Sequence, residues 1–176
     1  MDNKQDKIYL NLGCGNDIRP GWYNIDLPAN DLADINLNLE DAKLPFDDNT
    51  VQFIECSHVL EHVNNYIPLM QEIYRVLEPN GILHVCVPEF PCSAAIADPT
   101  HVRFFTPHSF TYLSDKTIGY DTSGLHGLFE LKYIESLPHD RGVLDRAQII
   151  NNEVNVFQRY FTEIEVELEK IGQKNE

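Results

Sequence analysis

The run Ile8-Tyr-Leu-Asn-Leu-Gly-Cys-Gly15, leading on to Tyr23-Asn-Ile-Asp26, constrains this chain more than any other stretch. It reads as an apolar strand, a turn with two glycines, and a second apolar strand that ends in a carboxylate. That layout puts a nucleotide-type ligand at the carboxyl edge of a parallel sheet. Gly13 and Gly15 permit a sharp turn and bring backbone close to a ligand where a Cβ would intrude. Asp26 stands where an acidic residue accepts hydrogen bonds from the two hydroxyls of a ribose. A dinucleotide fingerprint asks for a third glycine, and that position holds Ile18. Without G-x-G-x-x-G for a pyrophosphate, the pattern suggests an adenosine that carries no phosphates.

Bulk properties narrow the setting of such a site. A length of 176 residues fits one domain, residues 1–176, with 1–7 and 172–176 frayed. No apolar run approaches the ~18 residues that span a bilayer, and the polar start Met1-Asp-Asn-Lys-Gln-Asp-Lys7 is no signal peptide. The expectation is a cytoplasmic protein without a membrane partner. The net charge of −15, from 28 acidic and 13 basic residues, repels phosphate backbones and disfavours nucleic acid. Cys14, Cys56, Cys86 and Cys92 show no paired ligand spacing and fit a reducing compartment.

Periodicity supplies the elements. Strands are expected at Ile8–Leu12, about Trp22–Leu27, Ala33–Leu39, Val51–Ser57 and Ile82–Val87, with two more at Leu128–Ile134 and Phe161–Leu168. Only about six residues separate Gly15 from the second strand, too few for a crossover helix and its turns. The first crossover is therefore reduced. After Asn64 or Asn65, the stripe Tyr66, Leu69, Met70, Ile73, Tyr74 and Leu77 predicts a helix that Glu78-Pro-Asn-Gly81 stops. Thr106-Pro-His-Ser109 reads as another helix start. Residues 119–127 read as a mobile loop and 138–160 as an irregular excursion or short helix. Glu163, Glu165, Glu167 and Glu169 alternate with apolar residues, as on a solvated sheet face. Alternating apolar strands and helices predict an α/β fold with a parallel sheet.

The segments Leu10–Gly15 and Pro20–Asp26 resemble the small class I methyltransferases that use S-adenosylmethionine. Leu44-Pro-Phe46, Ser57-His-Val-Leu-Glu-His62 and Tyr74-Arg-Val-Leu-Glu-Pro-Asn-Gly81 agree in the same order, so the likeness covers most of residues 8–90. The resemblance implies a three-layer α/β sandwich of Rossmann-like methyltransferase type. Its sheet would be mostly parallel and seven-stranded, with one antiparallel hairpin strand and reduced first crossover helices.

The resemblance also implies S-adenosyl-L-methionine as cofactor. Gly13, Cys14 and Gly15 would meet its amino-acid part, the Cys14 backbone N–H mattering more than the sulfur. Asp26, with Leu27 beside it, would take the ribose. Asn38 and Leu39 would read the adenine, although Asp41-Ala42 competes for that place and Asn departs from the family's usual Asp. Ser57 and His58 would pack against the cofactor. Gln52 stands where relatives usually carry Asp and is read as a structural change.

Two clusters bear on catalysis. Asp98-Pro-Thr-His101-Val-Arg103-Phe-Phe-Thr-Pro-His108 follows the fifth strand, where such a sheet opens onto the acceptor. His101 could act as base or orient the acceptor, Arg103 could pair an acidic substrate or Asp98, and Phe104 or Phe105 could wall the pocket. His62 is a second substrate-facing candidate. The run His58-Val-Leu-Glu-His62 also matches H-x-x-E-H, a zinc-protease pattern. That chemistry needs both histidines on one helical face, and here the helix starts only after His62, so no metal ligand is assigned.

The leading function is methyl transfer to a small-molecule or glycan-like acceptor. A non-catalytic S-adenosylmethionine or S-adenosylhomocysteine binder of the same fold is the alternative. A metallohydrolase built on His58, Glu61 and His62 is the remote one. Little sequence between the fifth and sixth strands leaves a shallow lid, hence an open site or one completed by a second subunit in a homo-oligomer.

Overall fold

Five short apolar strands, each followed by a turn or helix that returns the chain to the same edge, can pair only in parallel. In the computed structural model, which describes residues 7–41, 43–115, 117, 123–138 and 162–172, they do. The strands are β1 (Ile8–Leu12), β2 (Tyr23–Asp26), β3 (Ile35–Asn36), β4 (Val51–Ser57) and β5 (Leu77–Pro88), followed by β6 (Phe129–Pro138) and β7 (Thr162–Lys170). They form one seven-stranded sheet in the order β3-β2-β1-β4-β5-β7-β6. β7 runs antiparallel to both β5 and β6, and the other described pairings are parallel.

The helices are α1 (Tyr66–Val76), α2 (Ser93–Ala97) and α3 (Pro107–Ser114), with 3-10 turns at Leu39–Asp41 and Leu60–His62. Buried Leu69, Met70 and Ile73 of α1 and Phe110 and Leu113 of α3 share one core with Leu10, Leu12, Ile54, Leu83, Val85, Val166 and Leu168 of the sheet. That is the apolar face of the pleat. The opposite face carries Asn11, Glu55, His84 and Glu167 at neighbouring registers. Between β1 and β2 the chain makes turns instead of a helix, the reduced crossover expected from its length. Arg19 from this loop reaches Glu55 at 2.9 Å, and Glu55 also accepts from His84 Nδ1 at 2.9 Å.

β1, β4 and the start of α1 fall where periodicity puts them. β3 is shorter than expected, because the chain after Asn36 turns into the 3-10 segment. Asn65 occupies the cap of α1, yet its side chain makes no cap bond. Glu40 does that work instead, its carboxylate accepting the N–H groups of Asn64 and Asn65 at 2.8 and 2.9 Å. An anion there satisfies donors that a helix start leaves unpaired. At the other end α1 stops at Val76 and passes straight into β5, so Leu77 belongs to the strand and Val76 to the buried stripe. Lys170 of β7 closes this junction, its Nζ donating to the carbonyls of Tyr74 and Leu77 and to Asn49 Oδ1. Gln52 is structural, as expected, bridging the Ile8 N–H to Glu78.

Glu163, Glu165, Glu167 and Glu169 are half-buried and alternate with buried Ile164, Val166, Leu168 and Lys170. Residues 119–122 of the loop read at 119–127, residues 139–160 of the excursion, and residues 1–6 and 173–176 of the ends lie outside the described residues.

Candidate functional site at the carboxyl edge of the sheet

Strand order reverses at β1, with β2 and β3 on one side and β4 and β5 on the other. A crevice opens at such a switch point, outside the carboxyl ends of the strands. The turn after β1 and the stretch after β4 border it. They touch directly: a Cβ on Gly13 (φ +62°) would lie 2.3 Å from Val59 Cγ2. Gly13 is thus required by packing. Gly15 (φ +51°) is different, since a Cβ there would meet no atom within 4 Å. The turn therefore leaves open space above Gly15, a candidate cradle that glycine keeps clear.

Asp26 ends β2 beside that cradle. Its Oδ2 accepts the Gly15 N–H at 2.7 Å and Asn30 Nδ2 at 2.9 Å, and its Oδ1 accepts the Leu27 N–H at 2.7 Å. Burial opposes the charge, but the bonds from Asn30, Leu27 and Gly15 outweigh it and hold the carboxyl below its usual range. The Leu27 side chain is exposed next to it. The Cys14 N–H, expected to face a ligand, donates to Ile25 O at 3.1 Å, and its buried thiol sits 3.9 Å from Asp26. On the far side, exposed Asn38 accepts the Glu40 N–H at 3.1 Å, while Leu39 is buried in the core. Asp41 is exposed, and Ala42 lies outside the described residues.

After β4, Ser57 pairs with Cys86, and His58 turns the chain with φ +55°. His58 Nε2 lies 4.0 Å from Cys86 Sγ and 3.0 Å from Glu163, and its Nδ1 lies 3.4 Å from Glu61. The sulfur and the two carboxylates push its imidazole up to about 11. His62 points elsewhere. The H-x-x-E-H run is a strand end and a 3-10 turn, so its histidines fall into separate clusters, His58 with Cys86 and Glu163, His62 with Glu61 and His101.

The two catalytic candidates far apart in sequence do meet. The Val102 and Arg103 N–H groups donate to Glu61 O at 2.9 and 3.2 Å, docking the 98–103 loop beside the turn after β4. The His62 and His101 rings stand edge to face, 4.7 Å between centroids. Arg103 does not pair with Asp98; its guanidinium lies over the Tyr66 ring at 4.6 Å. Asp98 instead accepts from Thr100, N–H and hydroxyl. Phe105 is buried against Phe110, whereas Phe104 is half exposed beside Phe90. Asn30, Val59 and Thr100 were missed from the sequence, because each acts through a contact that no local pattern announces.

A family model described as "Methyltransferase domain" matches residues 10–85. That span holds the glycine turn, Asp26 and the stretch after β4. The fold is that of the class I methyltransferases. The fold matches a chain of the complex between the Haloferax volcanii Trm112 methyltransferase activator and a methyltransferase, with a TM-score of 0.64 at 13% identity over 94% of this chain and 83% of that one. A methyltransferase of Bacillus halodurans aligns with a TM-score of 0.63 at 14% identity, over 94% and 93% of the two chains. A SAM-dependent methyltransferase of Archaeoglobus fulgidus gives 0.58 at 14%, over 93% and 86%. In sequence, an uncharacterized protein of Methanocaldococcus jannaschii is 38% identical over 101 residues, 49% of this chain and 43% of that protein. This chain thus spans less than half the length of that relative. The cofactor this fold implies is S-adenosylmethionine, and the open cradle at Gly15 beside an ionised Asp26 fits it.

Proposed function

We propose that the protein transfers the methyl group of S-adenosylmethionine to a small or glycan-like acceptor. The observation that carries this reading is the ionised Asp26 carboxylate at the lip of the Gly15 cradle, on the carboxyl edge of a methyltransferase fold. When bound, the cofactor supplies a methyl group already activated on a sulfonium, so the protein's task is alignment and exclusion of water. Asp26 would accept from the ribose hydroxyls, with Leu27 packed beside it. Gly13, Cys14 and Gly15 would form the wall for the amino-acid part, and Ser57 and His58 the floor. Asn38, with Leu39 behind it, would stand at the adenine.

His62 and His101 would face the acceptor, positioned by the loop docked on Glu61. Thr100 Oγ1 has one hydrogen, donated to Asp98 Oδ1 at 2.6 Å, so at 3.0 Å it accepts from His62 Nδ1. That leaves His62 Nε2 with a lone pair able to take a proton from an acceptor hydroxyl. Arg103, which pairs with no carboxylate among the described residues, would favour an acceptor that carries an acidic group. Half-exposed Phe90 and Phe104 would form the mouth. No helix among the described residues is long and apolar enough to cross a membrane, in keeping with an acceptor met in water.

Calorimetric titration with S-adenosylmethionine and S-adenosylhomocysteine, with NAD as control, tests the reading. Micromolar binding of the first two without NAD binding supports it. Absence of both would end it. Saturable binding with no methyl transfer to any acceptor in a broad screen would favour a binding protein instead.

A further inference from the structure

Glu61 is a buried carboxylate in an uncomfortable setting among the described residues. It is 2% exposed, and neither of its carboxylate oxygens has a hydrogen-bond partner; the nearest charge described is His58 Nδ1 at 3.4 Å. His58 answers the charge through space, yet both oxygens of this buried carboxylate remain without a hydrogen bond, which is a costly state. Beside it stand two imidazoles whose tautomers are fixed from behind. His101 Nδ1 lies 2.9 Å from Ala95 O, and a carbonyl only accepts, so Nδ1 carries the proton and Nε2 the lone pair. For His62 the Asp98–Thr100 relay likewise assigns the proton to Nδ1 and the lone pair to Nε2.

We propose that Glu61, His62 and His101 form a binding site for a divalent first-row transition ion of the zinc class. One ligand atom from each lies within 4.8 Å of the others. Donor atoms around a tetrahedral zinc stand about 3.3 Å apart, given bonds of about 2.0–2.1 Å, so small side-chain rotations close the set. Two neutral imidazoles and one carboxylate are the donors such an ion takes when one position stays open, and both histidines already carry the outer hydrogen bonds that orient metal-binding rings. His62 is accessible to solvent, so an ion has a way in. Glu61, which meets His58 only at 3.4 Å and has no hydrogen bond, gains a direct ligand bond. The ligand set differs from the H-x-x-E-H trio, because His58 is turned toward Cys86 and Glu163 and His101 takes its place. An ion here would sit on the acceptor side, where its open position could hold an oxygen of the acceptor, and the His62 lone pair, taken by the ion, would then not serve as the base. The site needs no cofactor to form, so its test is separate from that of methyl transfer.

The untagged protein, stripped with a chelator, is titrated with Zn2+ by calorimetry and with Co2+ by visible absorption. One equivalent bound at micromolar or tighter affinity is expected, with cobalt d–d bands and no thiolate charge-transfer band. Glu61→Gln and His101→Ala should each weaken binding at least about tenfold, and Cys86→Ser should leave it unchanged. His62→Gln, at a solvent-accessible position, serves as a further ligand variant if a buried one unfolds, with far-ultraviolet circular dichroism as the check. No saturable binding to the wild type overturns the proposal. So does an ion whose spectrum carries a thiolate band and disappears in Cys86→Ser, which would place it with His58 and Glu163.

Discussion

Asp26 Oδ2 accepts two donors at once, the Gly15 N–H at 2.7 Å and the Asn30 amide at 2.9 Å. A carboxylate offers about four lone-pair sites. With Leu27 on Oδ1 and the Cys14 thiol 3.9 Å from Oδ2, little accepting capacity is left, so in the proposed role a ribose with two hydroxyls would not be fully served while Asn30 stays in place. Under the role proposed for Asp26, the Asn30 amide, which also donates to Gly15 O at 2.8 Å, would hold the place of a ribose hydroxyl.

Asp26→Ala is therefore expected to weaken S-adenosylmethionine binding by about 1–3 kcal/mol through lost charge-assisted hydrogen bonds. Calorimetry reads the change directly. Affinity unchanged within error would remove Asp26 from the cofactor site.

Asn30→Ala should act in the opposite sense and raise affinity severalfold, because the carboxylate no longer has to be vacated. A clear fall would mean that Asn30 itself holds the ribose.

The two glycines of the turn should separate in urea melts. Gly13→Ala is expected to cost about 2–4 kcal/mol, overpacking Val59 and straining a left-handed residue. Gly15→Ala meets open space and should cost only the backbone term of about 1–2 kcal/mol, yet its methyl would enter the cradle and impair cofactor binding. Equal stability losses would contradict the packing described here.

A buried polar cluster on the other sheet face sets a pH dependence. The hydrogen bond to Glu55 raises His84 above its ordinary value of 6.5. Burial works against the Glu55 charge, but His84 and Arg19 together hold the carboxyl below 4.5. The His84 contribution is then fully present below pH 6.5 and fades as pH rises through its raised value. The Glu55 contribution is present above pH 4.5 and is lost as pH falls through its depressed value. The stability gap between wild type and His84→Gln should therefore narrow above pH 6.5. A gap constant from pH 5 to 9 would show that the pair carries no linked proton.

Lys170→Met should cost about 2–4 kcal/mol, since two buried carbonyls and the Asn49 amide oxygen lose their donor at the α1–β5 junction. Thermal melts at several pH values check this. A stability-neutral variant would mean that water replaces the ammonium.

How far the sequence reached follows from the range of each interaction. The glycine turn, Asp26, β1, β4 and α1 were legible because a strand's alternation, a helix's period and a turn's glycines are written within a dozen residues. The same local reach located His62 and His101 as separate candidates and the missing crossover helix as a short count of residues. It could not tell that Glu40 caps α1, that Asn30 fills the Asp26 carboxylate, or that Lys170 closes the junction before β5. These bonds join residues that only pairing of the strands brings together. The H-x-x-E-H run is the sharpest case. As a string it groups His58 with His62, but a residue at φ +55° after β4 turns them apart, and the loop docked on Glu61 supplies His101 instead. Local chemistry decided which side chains were worth watching. Strand order and loop docking, which depend on burial across the whole sheet, decided which of them meet.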